Sequence, residues 1–334
     1  MAASVVFFRS DWQGCGFYRC EQPVAALVRA GVAASVADRV PTRNQGAAIA
    51  ALRTPAAALV FQRPMALGLP EVIAVARREG RRVLVELDDD VWSLAPHNPA
   101  APHFTREALD RVRDCIRAAH GVIASTTALA ARIAAVTGQR EIAVIPNAVD
   151  PALAGPPREA EADRPLVVGW AGGASHRADF RVARDGVLAL QRRGDTEVHF
   201  YGDDPLAGTP GPRRIHPWTT SVPAHYRNIA TLDMALAPLE NSRFNRSKSA
   251  LKWMEHSLHG TPMVLSDVPC YREAADDGLT ALFAADATRF ARQLRRLADD
   301  PALRLDIGLR ARGEVLARHT IDRRVPLYRE VLGL

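Results

Sequence analysis

The sequence predicts an α/β protein with two Rossmann-like, parallel-sheet domains that face an interdomain cleft. The chain has 334 residues, a length typical of two domains. Short apolar segments alternate with amphipathic segments, which is the pattern of βα units. The order strand, glycine loop and helix opens the chain and recurs once, after a segment rich in Ala, Pro, Glu and Gly.

The first half of the chain alternates predicted strands with predicted helices. Strands are predicted at residues 4–8, 57–61, 83–87, 121–124 and 142–145. Helices are predicted at residues 22–30, 70–78, 105–119 and 126–136. Residues 151–165 lack any periodicity and are predicted to be a linker, so the first domain is assigned to residues 1–150.

The second half repeats this alternation after the linker. Strands are predicted at residues 166–170, 196–201, 232–237 and 263–266. Helices are predicted at residues 179–190, 288–297, 303–318 and 321–332. Residues 166–312 are therefore assigned to a second Rossmann-like domain, and residues 313–334 to C-terminal helices that can pack back on the first domain.

Composition and charge limit the classes of function. With 48% hydrophobic residues the chain can build sizeable cores, and no apolar run of 18 residues predicts a transmembrane helix. Residues 1–8 lack the regions of a signal peptide, and four scattered cysteines have no metal-binding spacing, so a cytoplasmic protein is expected. A net charge of +6 permits an anionic partner, without choosing among nucleotide, nucleic acid and anionic lipid.

The most unusual segment lies at residues 244–262. Of the 43 lysines and arginines in the chain, only Lys248 and Lys252 are lysines. Apolar residues share one face of the helix predicted here, the two lysines lie on the other, and serines at its start are predicted N-caps. Ammonium groups close to a helix N-terminus suit a phosphate. The alternative is a surface helix with a Lys252–Glu255 ion pair.

A glycine loop follows the first predicted strand. Gly14 and Gly16 allow backbone N–H groups to approach a phosphate or diphosphate at the start of the next helix. As a dinucleotide fingerprint the loop fails, because Arg19 stands where the third glycine is required, although Asp38 has a suitable position for a ribose-binding acid. A plain tight turn is the alternative.

Three consecutive acids, Asp88, Asp89 and Asp90, follow the strand predicted at residues 83–87. Open α/β sheets bind ligands at the carboxyl ends of their strands, so an acid here is expected to accept a proton or to bind sugar hydroxyls. Two alternatives remain: Asp88 and Asp90 imitate a metal-binding DxD motif, or the acids cap a following turn. A proline-rich segment with His97 then forms either a mobile lip over a site or a connector.

Five segments of the chain resemble glycosyltransferase family 4, whose retaining enzymes have the GT-B fold. They are GCGFYR, VLVELDDDVW, AVIPNAVD, VVGWAGGASH and FNRSKSALKWMEHSLHGTPMVLSDVPCYRE. The resemblance covers almost the whole chain and implies the GT-B architecture and transfer of a sugar from a nucleotide-diphosphate sugar. Glu255 matches the second acid of the family's donor motif, which holds the nucleotide ribose. Ser247 stands where the family has the first acid.

The resemblance and the chemistry of sugar transfer imply roles for individual residues. Catalytic roles are expected for Asp88, Asp89, His176 and Lys248. Donor binding is expected of Gly14, Gly16, Gly172, Gly173, Tyr201, Gly202, Trp218, Ser249, Lys252 and Glu255. Acceptor binding is expected, more weakly, of Tyr18, Arg19 and His97. For Tyr201, Gly202 and Trp218, ordinary packing at the strand ends is the alternative.

The expected function is that of a hexosyltransferase-type glycosyltransferase that acts with retention and without a metal, because cations take the diphosphate charge. Its co-substrate is expected to be a UDP- or GDP-linked sugar, with no further cofactor. The acceptor is open among a small molecule, a protein, a glycan and modified DNA. Two alternatives remain, a nucleotide-sugar epimerase of the same fold and a nucleic-acid-binding protein, which the pI near 9.5 suggests.

Overall fold

The described part of the chain forms two six-stranded parallel sheets. The structure, a computed structural model, describes residues 4–37, 55–156 and 164–334. Asp38 and residues 157–163 of the predicted linker lie outside the described residues. No helix within the described ranges is long and apolar enough to cross a membrane. The predicted α/β class with two Rossmann-like sheets is confirmed.

The first sheet is formed by residues that precede the predicted linker. Its strands are β1 (Ser4–Phe8), β2 (Ala33–Ala37), β3 (Ala58–Gln62), β4 (Arg82–Leu87), β5 (Gly121–Ala124) and β6 (Ile142–Val144), in the order β2-β1-β3-β4-β5-β6. Its helices are α1 (Gln22–Arg29), α2 (Leu69–Arg78), α3 (Arg106–Ala118) and α4 (Thr127–Thr137). Strands β3 and β5 are buried along their whole length, as expected for parallel strands with helices on both faces.

The connection from β1 to α1 has an irregular helical geometry. Gly14–Gly16 forms a single turn, Phe17–Glu21 continues as a π-helical turn, and α1 follows directly. Gly16 is required here by close packing, because a Cβ at this position would lie 2.0 Å from the carbonyl oxygen of Asp11. Turns of π-helix inside longer helices are frequent at functional sites, so this connection is a candidate element of the site.

The second sheet lies after the predicted linker. Its strands are β7 (Leu166–Gly172), β8 (Thr196–Gly202), β9 (Arg214–His216), β10 (Met234–Ala237), β11 (Met263–Ser266) and β12 (Leu282–Ala284), in the order β12-β11-β10-β7-β8-β9. Its helices are α5 (Arg184–Gln191), α6 (Val222–Ile229), α7 (Arg243–Arg246), α8 (Leu251–Ser257), α9 (Pro269–Arg272), α10 (Ala287–Asp299) and α11 (Pro301–Arg318). Trp170, Phe180 and Phe200 meet edge to face in its core, with ring centroids 5.4 to 6.1 Å apart.

Most predicted elements agree with the structure to within a few residues, and the differences have simple causes. Strands β9 and β12 have three residues each, which is too short for a periodic signal. Helices α6, α7 and α9 were not predicted either, and the last two have only four residues. The helix predicted at residues 179–190 is a 3₁₀ turn, Asp179–Val182, followed by α5.

The C-terminal end of the chain returns to the first sheet. Helix α12 (Val325–Leu332) packs against α1, and the ring of Tyr328 lies edge-on to Phe7 with centroids 6.0 Å apart. A parallel bridge joins Val149 to Thr320 just before this helix. The chain therefore crosses between the two sheets twice. The predicted division into a first domain, a linker, a second domain and C-terminal helices, with boundaries at residues 150, 165 and 312, remains a prediction.

Strand order reverses at one point in each sheet. β1 lies between β2 and β3, and β7 lies between β8 and β10. The carboxyl ends of the strands at such points border crevices that bind ligands in open parallel sheets. Gly14 and Arg63 follow β1 and β3, while Gly173 follows β7, and all three line one cleft. The fold therefore directs both crevices toward the same space.

Candidate functional site

A cleft of about 870 Å³ lies between the carboxyl ends of the two sheets. Asp88 lines one side of it and Gly173 lines the other. A smaller recess of about 150 Å³ shares several of its lining residues and adds Asp89 and Lys248. The interdomain cleft that the sequence predicts is therefore present.

Most of the predicted site residues line these two cavities. The lining members are Gly14, Tyr18, Asp88, Asp89, Gly172, Gly173, His176, Trp218, Lys248, Ser249, Lys252 and Glu255. The predicted residues that line neither cavity are Gly16, Arg19, His97, Tyr201 and Gly202. The structure brings the first group together in one space, and the roles of its members remain predictions.

Lys252 carries a charge that no carboxylate of the described ranges balances in an ion pair. Its Nζ donates to the carbonyl oxygen of Ala171 at 2.9 Å and lies 5.4 Å from the centre of the Trp170 ring. Burial, reinforced by the charge of Lys248, lowers the pKa of the Lys252 ammonium to about 8. An anion placed beside Lys252 would stabilise its charged form, so this side chain suits a diphosphate.

The low pKa of Lys252 predicts how diphosphate binding depends on pH. Below the pKa of about 8 the ammonium is charged before the ligand arrives, whereas at higher pH it must first take up a proton. We therefore expect the Kd of a nucleoside diphosphate to rise about tenfold per pH unit above that pKa. Calorimetric titrations across this range test the expectation.

Lys252→Arg is the matched control for the pH dependence, because its guanidinium stays charged at every pH used. The Kd of this variant should be nearly independent of pH. A wild-type Kd that is equally independent of pH above the pKa would contradict the assignment of Lys252 to the diphosphate.

Lys248 connects the two halves of the chain through an ion pair. Its Nζ lies 3.2 Å from Oδ1 of Asp89 and 4.5 Å from the centre of the Phe244 ring. Burial works against the charge, but Asp89 outweighs it and raises the pKa of Lys248 above its usual value. Lys248 is therefore charged at neutral pH, and its charge is partly balanced, unlike that of Lys252.

Asp88 is fixed by an arginine that the sequence analysis did not single out. Arg63 donates to Oδ1 of Asp88 at 2.7 Å and to Sγ of Cys15 at 2.8 Å. Arg63 has a φ of 42°, which is unusual for a non-glycine residue and marks local backbone strain. Although burial works in the opposite direction, Arg63 holds the pKa of Asp88 below its usual value. Asp88 is therefore an ionised acceptor that suits binding of a hydroxyl.

Asp90 does not join Asp88 in a metal-binding pair. It is fully buried, pairs with Arg132 at 3.3 Å and accepts a hydrogen bond from the backbone N–H of Trp92 at 3.2 Å. The alternative of a cap for the following turn therefore fits Asp90. In the described ranges, no group of three or more His, Cys, Asp or Glu side chains is arranged to hold a metal ion. Independence from metals remains a prediction.

His176 is neutral, whereas a group that neutralises a diphosphate must be positively charged. Its Nδ1 lies 2.8 Å from Oδ2 of Asp179, which also accepts from the side chain of Asn245 at 2.6 Å through Oδ1. Burial, together with the charge of Lys252, lowers the pKa of His176 to about 3. The imidazole is therefore neutral at pH 7. Because Nδ1–H of His176 donates a hydrogen bond to Asp179, Nε2 is left as a hydrogen-bond acceptor.

Glu255 receives a hydrogen bond from the other half of the chain. The hydroxyl of Tyr18 donates to Oε1 at 2.5 Å, and Nε2 of His225 lies 3.5 Å from Oε2. Burial would raise the pKa of Glu255, but His225 and Tyr18 outweigh it and lower the pKa below its usual value. The ion pair with Lys252 that the surface-helix alternative requires is absent, because Glu255 faces Tyr18 and Lys252 donates to a backbone carbonyl.

Ser247 and Ser249, which were predicted to cap the helix that carries Lys252, have other hydrogen-bond partners. Helix α8 begins at Leu251 without a side-chain N-cap, so that prediction was wrong. The hydroxyl of Ser249 accepts from Nδ2 of Asn147 at 2.8 Å, and the carbonyl of Ser247 accepts from the hydroxyl of Thr126 at 2.9 Å. The segment before α8 is therefore tied to the first half of the chain, and Ser247 is buried without lining either cavity.

Arg19 is a structural residue, which corrects its assignment to the acceptor. Its side chain is 1% exposed and forms an ion pair with Glu86 at 2.6 Å. It also donates to the carbonyl oxygen of Ile145 and to Oδ1 of Asn147, both at 2.9 Å. Burial raises the pKa of Glu86 to about 7, so this carboxylate depends on Arg19 to remain ionised.

Arg19→Ala is expected to lower the free energy of unfolding by about 3–5 kcal/mol, because it leaves the buried Glu86 carboxylate without its cation. Urea denaturation measures this change. The double variant Arg19→Met/Glu86→Leu should recover most of the loss, since it removes both buried charges together. A variant Arg19→Ala with wild-type stability and a raised KM for an acceptor would restore the original prediction.

Tyr201 and Gly202 also have structural positions. The Tyr201 ring stacks on His216 with centroids 4.3 Å apart, and its hydroxyl lies 2.8 Å from that of Thr231. Gly202 has a φ of +110°, and a Cβ there would lie 2.8 Å from the ring of Trp218. The packing alternative therefore fits Tyr201, while Gly202 allows Trp218 to lie over the end of β8 and line the cleft.

Gly16 and His97 do not contact the cleft either. Gly16 is buried against Asp11, and its role is to let the connection after β1 pack closely. His97 is exposed on the proline-rich segment, whereas His103 of the same segment lines the cleft. The sequence could not separate these two histidines, because both lie in a loop without periodicity.

Several lining residues were not singled out from the sequence, and three of them contact predicted site residues. Arg63 directly follows β3, so the tendency of site residues to follow strand ends would have identified it. Asn147 lies in the AVIPNAVD segment that carries part of the family resemblance. His225 lies on α6, a helix that was not predicted, so no signal pointed to it.

Comparison with protein families gives a match over part of the second half of the chain. Residues 184–329 match the family described as glycosyl transferase-like. No curated protein matches the chain in sequence. The match confirms the prediction of a glycosyltransferase, whereas membership of family 4 stays a prediction.

Comparison with solved structures confirms the GT-B fold. The Anabaena HepE structure with UDP and glucose matches at a TM-score of 0.70 and 15% identity, over 99% of both chains. Sucrose-phosphate synthase from Thermosynechococcus elongatus matches at 0.72 and 15% identity, over 99% of both chains. An α-glucosyltransferase in complex with UDP and a DNA 13-mer with an HMU base matches at 0.71 and 10% identity, over 100% of both chains.

Proposed function

We propose that this GT-B glycosyltransferase moves a sugar from a UDP-linked donor to a hydroxyl of its acceptor, with retention and without a metal. The observation that carries the proposal is the ammonium of Lys252, which forms no ion pair with a carboxylate of the described ranges and which lines the cleft beside Gly172 and Gly173. The ribose-binding candidate, Glu255, lines the same cleft one helical turn away.

In this proposal the donor diphosphate lies between the lysines and the glycine loop. Lys252 and Lys248 neutralise the charge that develops on the leaving diphosphate. The backbone at Gly173, where a Cβ would meet nothing within 4 Å, leaves room for a phosphate to approach. Trp218 is 52% exposed while lining the cleft, so its ring is available to stack on the nucleobase.

The opposite wall of the cleft is proposed to orient the sugar and the acceptor. Asp88 is ionised and rigidly held by Arg63, so it accepts hydrogen bonds from hydroxyls. From the Gly173 side of the cleft, His176 contributes Nε2 as a further acceptor for a sugar hydroxyl, since its imidazole is neutral. No group on this wall is needed to protonate the diphosphate, because retention by same-face attack leaves the acceptor proton on the leaving phosphate. The protein then acts mainly by positioning the reactants.

The choice of UDP rests on support from structural neighbours. HepE has been crystallised with UDP and with UDP-glucose, and the α-glucosyltransferase with UDP. These chains are 10–15% identical to the present one, so uracil as the nucleobase of the donor is part of the proposal.

A nucleic-acid acceptor is disfavoured by the charge of the acceptor-side wall. Asp11, Asp88 and Asp89 line this wall of the cavities. Arg63 lies among them, and Lys248 reaches Asp89 from the other half of the chain, so the three acids still outnumber these two cations. A phosphate backbone in contact with this wall would be repelled. The net charge of +6 is therefore better explained by dispersed surface arginines than by a nucleic-acid site.

A thermal-shift screen with UDP, GDP and ADP tests the proposal. UDP should raise Tm in a concentration-dependent manner, and GDP and ADP should raise it less. Incubation with UDP-sugars and no acceptor then separates transfer from epimerisation, since an epimerase converts the donor alone. If none of the three nucleotides raises Tm at millimolar concentration, the proposed function is wrong.

A further inference from the structure

We propose that Tyr18 is a positioning residue for donor recognition, which reaches across the cleft and orients the Glu255 carboxylate toward the ribose hydroxyls. The inference rests on the proposed function, because it takes Glu255 as the ribose-binding acid. Tyr18 belongs to the π-helical turn Phe17–Glu21 that follows β1, whereas Glu255 belongs to α8 in the other half of the chain.

Tyr18 is anchored inside the second half of the molecule. Its side chain is 4% exposed and joins the hydrophobic cluster that contains Tyr226 and Met254. Only its hydroxyl meets a charged group, at 2.5 Å from Oε1 of Glu255. A buried ring with a single short hydrogen bond to a carboxylate is well suited to fix the orientation of that carboxylate.

The direction of the hydrogen bonds around Tyr18 follows from its single proton. The hydroxyl oxygens of Tyr18 and Tyr226 are 3.1 Å apart, and an ionised Glu255 can only accept. Tyr18 therefore donates to Glu255, and Tyr226 donates to Tyr18. The result is a directed chain from Tyr226 through Tyr18 to the carboxylate.

The carboxylate keeps the capacity to bind a diol while Tyr18 holds it. Each carboxylate oxygen can accept two hydrogen bonds, and Tyr18 uses one position on Oε1. Oε2 lies 3.5 Å from Nε2 of His225. Because Glu255 lines the cleft, the remaining positions on both oxygens are available to the 2′- and 3′-hydroxyls of a ribose.

The position of Tyr18 also couples nucleotide recognition to the arrangement of the two halves. Its partner lies 237 positions along the chain, so the hydrogen bond forms only when the π-helical turn is docked against α8. Movement of this turn away from α8 would leave Glu255 without the contact that orients it. Ribose recognition would then be complete only in the closed cleft.

Tyr18→Phe removes the hydroxyl and keeps the packed ring. Tyr328→Phe, which removes the hydroxyl of another buried tyrosine, on α12, is its matched control. Calorimetric titration with UDP and with 2′-deoxy-UDP gives two affinities for each protein. We expect Tyr18→Phe to weaken UDP binding about tenfold and to reduce the preference for UDP over 2′-deoxy-UDP. Tyr328→Phe should keep this preference close to the wild-type value, because Tyr328 packs against Phe7 and does not line the cleft.

The comparison of the two nucleotides separates orientation from mere packing. If Tyr18 only held the two halves together, Tyr18→Phe would weaken both nucleotides by the same factor, and the inference would be overturned. Tighter UDP binding by Tyr18→Phe would overturn it as well, since Tyr18 would then compete with the ribose. Failure of the wild-type protein to bind UDP would instead overturn the proposed function.

Discussion

Replacing Lys252 with methionine is expected to lower kcat/KM for the UDP-sugar donor by about 10³-fold, the upper range for loss of one charge-stabilising group. The leaving diphosphate gains negative charge in the transition state. The Lys252 ammonium can stabilise this charge, because it forms no ion pair with a carboxylate of the described ranges. Methionine preserves the length and shape of the side chain without its charge. Initial rates at varied donor concentration measure the effect.

The Lys252→Met variant should stay folded. Burial lowers the pKa of Lys252 to about 8, which means that the folded protein disfavours the charged form. Removal of that charge therefore costs no stability through this group, and Tm should not fall. Lys252→Arg keeps a cation and should retain most of the activity. Near-wild-type kcat/KM in Lys252→Met would remove the lysine from the mechanism.

Glu255→Ala is expected to weaken UDP binding about 100-fold, because two hydrogen bonds from ribose hydroxyls to a carboxylate are lost. The effect should fall on the KM of the donor more than on kcat, since the ribose is remote from the reacting bond. Equilibrium titrations with UDP, together with kcat and KM for the UDP-sugar, measure both quantities.

Glu255→Gln provides the matched control, since it keeps the shape and one acceptor oxygen. It should lie between the wild type and Glu255→Ala in UDP affinity. The preference for UDP over 2′-deoxy-UDP should be lost in Glu255→Ala. If this variant still distinguished the two nucleotides as the wild type does, another group would have to recognise the ribose.

Much of the fold was predictable because its signals are local. Strands β1, β5 and β11 have the predicted bounds, since each is a short apolar run between turn residues. The three-residue strands β9 and β12 were missed, because their positions depend on pairing with longer neighbours and not on their own composition.

Two signals made part of the candidate site predictable: a residue type that is rare in the chain, and a position directly after a strand. The pair of lysines was found by composition, and Asp88 by its position after β4. Local pattern could not reveal that Ser249 would bind Asn147 or that Tyr18 would meet Glu255. Those contacts join residues 102 and 237 positions apart, and they exist only after the two sheets have come together.

Arg19 illustrates a different limit of sequence reasoning. An arginine that follows a glycine loop is expected to bind an anionic ligand. Arg19 instead neutralises a buried glutamate. The partner, Glu86, lies on β4 in a run of apolar residues, where a lone acid requires a buried cation. The sequence therefore indicated that Glu86 needs a buried cation. Which cation pairs with it became clear only from the arrangement of the strands.

The structure of the complex with UDP tests the central claim most directly. We predict the diphosphate within about 3.5 Å of Nζ of Lys252 and next to Gly173, and the ribose hydroxyls within hydrogen-bonding distance of Glu255. Tyr18 should keep its hydrogen bond to the same carboxylate. An ordered UDP outside the cleft, or one in the cleft with its ribose away from Glu255, would contradict the proposed donor site.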